Sequence, residues 1–135
     1  MKKLLLSSLL LASSLFGVDG YEVYKKNCQV CHDEMLGKRY TFAHLHELSA
    51  PPMALVSENL KEDNITTDLE KSLDRHLFIN FVKDYIVNPN HEKSVCKSGI
   101  ISSFGTMPSL KGKLTESERQ AVAEWLYDRY KTNKE

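Results

Sequence analysis

Cys28-Gln29-Val30-Cys31-His32 constrains this chain more than any other stretch, because two thiols followed at once by an imidazole have the spacing that attaches a c-type haem. The thiols add across the two vinyl groups, and the histidine stands directly after them, placed to become the proximal ligand of the iron. A chain carrying this motif must fold around a flat, largely apolar cofactor. Two other readings of a C-x-x-C pair are weaker. A structural zinc site needs a second close pair of ligands, and the third cysteine, Cys96, stands alone. A thioredoxin-like redox pair needs a βαβ setting, and no Val/Ile-rich strand precedes Cys28.

The compartment agrees with the motif. Lys2 and Lys3 precede a Leu/Ser-rich apolar run from Leu4 to Phe16, which reads as a signal peptide over residues 1–17. That run is shorter than the roughly 20 apolar residues that span a bilayer, so a stable membrane anchor is not expected after its removal. Residues 18–135 then form one domain of 118 residues, a size at which a haem can supply much of the core. Export to the periplasm as a soluble protein follows. The full chain balances 18 basic against 18 acidic residues, and loss of Lys2 and Lys3 leaves it mildly acidic, which gives no footprint for nucleic acid or anionic membranes.

Three segments signal helices. Asp19-x-x-Glu22, Thr67-x-x-Glu70 and Thr115-x-x-Glu118 each match a capping box, and each opens an amphipathic run. Gly20, Tyr24 and Cys28 share one face of the first; Leu69, Leu73, Leu77, Phe81 and Tyr85 line the second, widened by Phe78, Val82 and Ile86, until Asn88-Pro89 stops it. Val122, Trp125, Leu126 and Arg129 share a side of the third. The stretches Met35 to Thr66 and Asn90 to Leu114 carry no such pattern and are expected as long loops wrapped around the haem.

An electron-transfer haem needs a second strong ligand opposite His32. Met107, in Phe104-Gly105-Thr106-Met107-Pro108, is the best candidate: Gly105 lets the backbone turn, Pro108 stiffens the loop, and a thioether favours ferrous iron. Met53 behind Pro51-Pro52 is its main rival. Met35 lies too close to His32 in sequence, and nothing around His44, His46, His76 or His91 marks them as ligands.

These residues resemble the class I c-type cytochromes, the small monohaem His/Met electron carriers. Gly20, Tyr24 and Cys28 look like the family's G-x-x-x-[FY]-x-x-x-C helix, Tyr85-Ile86-Val87-Asn88-Pro89 like its Y-[LI]-x-x-P helix end, and Val122, Trp125 and Leu126 like its terminal-helix contacts. The resemblance implies an all-α cytochrome c fold: crossing N- and C-terminal helices, a middle helix, and long loops around one covalent haem c. It implies that Gly20 and Tyr24 meet Val122 and Trp125, that Tyr85 stands near the Met107 sulfur, and that the Pro51 carbonyl accepts from the other nitrogen of His32, with Met53 packing on the haem edge. The segment Pro89 to Met107 is longer than in compact members, and its Cys96 reads as a small buried side chain, a free thiol or an intermolecular bridge.

The function implied is a periplasmic carrier of single electrons between redox protein partners in a respiratory chain, a monomer and not an enzyme. A dedicated haem subunit of a dehydrogenase or reductase complex is the alternative, and a peroxidase or gas sensor with an open sixth position is a weaker one. Lys93, Lys97, Lys111 and Lys113 flank Met107 and are expected as a positive rim for docking.

Overall fold

A computed structural model describes residues 17–64, 71–95 and 98–130. Residues 1–16 of the expected signal peptide, the expected Thr67-x-x-Glu70 cap, Cys96 and Lys97 lie outside the described residues. Every regular element among the described residues is a helix: α1 (Gly20–Asn27), α2 (Lys38–Ala43), α3 (Met53–Asn64), α4 (Lys71–Tyr85), α5 (Ser98–Phe104) and α6 (Glu116–Arg129).

Helices α1 and α6 begin where the sequence marks them. Asp19 caps α1 by accepting from the Tyr21 N–H at 2.8 Å, while Glu22 turns to Lys25 at 2.6 Å instead of back to the cap. Thr115 and Glu118 form the full reciprocal capping box on α6. The two helices pack together, and α4 lies against α6, with α3 touching both α4 and α6. Gly20 sits at the α1–α6 crossing, where a Cβ would stand 2.1 Å from the Ala121 carbonyl oxygen. Tyr24, fully buried, stacks on Trp125 with ring centroids 4.6 Å apart.

Three expectations need correction. The stretch from Met35 to Thr66 is not a plain loop, since α2 and the twelve-residue α3 form within it, and α5 forms within the later one. Met53, Val56 and Leu60 of α3 do follow helical spacing, but buried Ser57 and Asn59 between them dilute the apolar pattern. In α4, Phe78 and Val82 of the expected stripe are buried, but Leu77 is 49% exposed and its neighbour Ile79 is buried instead.

Candidate functional site

The haem motif forms the turn that ends α1. The Cys28 N–H still donates to the Tyr24 carbonyl at 2.8 Å, and the Cys28 carbonyl accepts from both Cys31 N at 3.1 Å and His32 N at 2.9 Å. That tight turn brings Cys28, Cys31 and His32 to the lining of one cavity. The His32 Nδ1–H donates to the Pro51 carbonyl at 2.7 Å, which leaves Nε2 as the ring's lone pair. Burial lowers the pKa of His32, against the Pro51 hydrogen bond that raises it. The ring is thus held in the neutral form that a metal requires. Burial, with Cys31 adding to it, pushes the Cys28 thiol up to about 11.

Met107 reaches the same cavity from a loop that is fixed at both ends. Gly105, at φ +68°, closes α5 by donating its N–H to the Ile101 carbonyl at 2.8 Å. No atom lies within 4 Å of a Cβ built there, so the glycine serves the left-handed helix end and not a close approach. Beyond the methionine, Ser109 Oγ donates to the Val87 carbonyl at 2.5 Å and Leu110 N to the Ile86 carbonyl at 2.8 Å. The loop is therefore bonded to the end of α4, and Tyr85 and Met107 both line the cavity.

The cavity measures about 230 Å³, whereas a packed domain leaves few voids larger than a water molecule. Its walls come from α3, α4, α6 and the Met107 loop, with Leu60, Phe81, Val82, Trp125 and Leu126 among them. Exposed Cys31, Thr106 and Pro108 put one side of it at the surface. An apolar slot with two thiols, an imidazole lone pair and a thioether on its lining fits a haem with one edge toward solvent.

The rival ligands fall elsewhere or on another task. Met35 is 63% exposed and does not line the cavity. His44 pairs Nδ1 with the Tyr40 carbonyl at 2.8 Å and stacks on the Tyr40 ring, and His46, His76 and His91 are exposed. Met53 is buried on the cavity wall, its N–H bonded to the Asp33 carbonyl at 2.7 Å, one residue from His32. Sequence reasoning missed two hydroxyls beside the motif: Tyr24 Oη donates to the His32 carbonyl at 2.8 Å, and Tyr130 Oη to the Glu34 carbonyl at 2.7 Å. Tyr24 was visible only as a packing residue, and nothing in the sequence joins Tyr130 to residue 34.

Among the described residues no helix is long and apolar enough to cross a membrane, and no group of three or more His, Cys, Asp or Glu side chains could hold a metal ion. No solved structure matches the chain. A protein of Aquifex aeolicus (strain VF5), described as uncharacterized, is 43% identical over 145 residues, covering 97% of this chain and 90% of the relative. A family model described as cytochrome C oxidase, cbb3-type, subunit III matches residues 17–126. With the C-x-x-C-H turn and its cavity inside the matched span, the chain belongs to this c-type cytochrome family, whose domain transfers electrons by means of haem.

Proposed function

We propose that the protein is a monohaem cytochrome c, exported to the periplasm behind a signal peptide of residues 1–17, that carries single electrons between respiratory partners as a monomer. The observation that carries this reading is the convergence of Cys28, Cys31, His32 and Met107 on one apolar cavity with an edge at the surface. When bound, haem supplies a one-electron couple. Cys28 and Cys31 would hold it covalently, and His32 and Met107 would both ligate its iron, which would leave no open site for a substrate and so no catalytic role. The Pro51 carbonyl fixes the tautomer and rotation of His32, and the α4-anchored loop brings Met107 to the cavity that Tyr85 also lines. Met53 begins from the His32 side, where its backbone is tied to Asp33, and is assigned to packing on the cofactor.

Covalent attachment is tested on a denaturing gel stained for haem peroxidase activity. The exported wild type keeps its stain, and Cys28→Ser with Cys31→Ser loses it. The oxidised protein should show the weak near-infrared band of a sulfur–iron bond, and Met107→Ala should remove it and lower the potential. A band that survives in Met107→Ala gives the ligand role to Met53 instead.

One observation favours a second reading, a haem subunit held in a larger redox complex: the family model that matches is described as an oxidase subunit. Recovery of the mature protein from gentle extracts only with a partner would decide for it, and recovery as a free monomer for the carrier.

A further inference from the structure

The backbone that follows His32 is held at three successive carbonyls. His32 O accepts from Tyr24 Oη at 2.8 Å, Asp33 O from Met53 N at 2.7 Å, and Glu34 O from Tyr130 Oη at 2.7 Å. The donors belong to α1, to the start of α3 and to the residue that ends α6. The Glu34 carboxylate is held as well, by Arg129 Nε at 2.9 Å. An irregular segment usually gives such carbonyls to water, because loops run over the surface. Here each is claimed by a different part of the fold.

The two tyrosines meet on one residue. Tyr24 stacks on Trp125 at 4.6 Å between centroids, and Tyr130 meets Trp125 edge-on at 6.1 Å. A phenylalanine at either place would keep those ring contacts and lose only the hydroxyl. What the hydroxyls add is therefore their bonds to the segment that carries the imidazole.

We infer that Tyr24 and Tyr130 are positioning residues for His32: their hydroxyls clamp the backbone from which the imidazole projects and so set where Nε2 points. The inference rests on the reading of His32 as an iron ligand. With the backbone clamped, two side-chain torsions remain, and the Nδ1–H bond to Pro51 fixes the ring's rotation. Outer partners of this kind orient a metal ligand without touching the metal.

The test compares the oxidised holoprotein with Tyr24→Phe, Tyr130→Phe and, as a control, Tyr127→Phe, whose ring packs on Phe78 at 5.1 Å. Proton NMR reads the hyperfine-shifted ring protons of His32, and voltammetry reads the reduction potential. Displaced His32 signals and a shifted potential in Tyr24→Phe and Tyr130→Phe, with Tyr127→Phe matching wild type, support the inference. Unchanged signals and potential in the first two overturn it, even where thermal stability falls, since the hydroxyls would then serve only the fold. If Tyr24→Phe fails to accumulate, Tyr130→Phe carries the same two outcomes alone. Wild-type spectra without hyperfine-shifted His32 protons overturn the ligand reading itself, an outcome distinct from unchanged variants.

Discussion

A Cβ on Gly20 would stand 2.1 Å from the Ala121 carbonyl oxygen and 2.6 Å from the Trp125 Cβ. Neither atom is the far end of a flexible side chain, so no rotamer change relieves the clash. The α1–α6 crossing must open, and Trp125 also lines the cavity, so the cofactor's wall moves with it. Gly20→Val is expected to lower stability by about 1–3 kcal/mol through overpacking, measured by urea unfolding of the holoprotein; wild-type stability would mean that the helices have room to separate. At this scale the haem motif was legible, because the spacing of Cys28, Cys31 and His32 is local in the chain. The hydroxyl bonds of Tyr24 and Tyr130 were not, because the first depends on how the turn after α1 folds back on that helix and the second joins residues 96 apart in the chain.

Elements were legible where a cap and a stripe coincide. The Thr115–Glu118 box announces α6, and the Gly20, Tyr24 and Cys28 spacing announces α1. In contrast, α3 begins after Pro51-Pro52 with no Ser, Thr, Asp or Asn cap in sequence, and its first N–H is satisfied by the distant Asp33 carbonyl. The short α2 and α5 bury too few apolar side chains to show a period. The α6 cap also has a pH signature. Hydrogen bonds from the Thr115 backbone N–H, at 2.8 Å, and from its hydroxyl, at 3.1 Å, hold Glu118 below the ordinary 4.5. The unfolded chain therefore takes up this proton first as the pH falls, so the cap's contribution is complete above about 4.5 and is lost as the pH drops through the folded value. Glu118→Gln should be less stable than wild type near about pH 7, with the gap narrowing toward about pH 3. Thermal melts at both values check this, and a gap independent of pH would remove the carboxylate from the account.

At the scale of the whole molecule, several charges away from the cavity are matched to one another among the described residues. Arg75 pairs with Asp128 at 2.9 Å, Lys83 with Glu116 at 2.5 Å and Arg129 with Glu34 at 2.9 Å. Of the expected rim of four lysines, Lys93 pairs with Asp84 at 2.8 Å, and Lys97 lies outside the described residues. Lys111 and Lys113 remain, exposed, just past the Met107 loop and the cavity-lining Leu110. On a mature chain expected to be mildly acidic, two lysines near the open side would make that side locally positive. Such a field changes association rate more than affinity and is screened by salt. Stopped-flow oxidation of the reduced protein by ferricyanide, an anion, should slow as salt rises and slow again in Lys111→Glu with Lys113→Glu. Oxidation by a cationic cobalt phenanthroline complex should respond in the opposite sense to both changes. Equal salt dependence for the two oxidants would mean that these lysines do not border the path by which electrons leave.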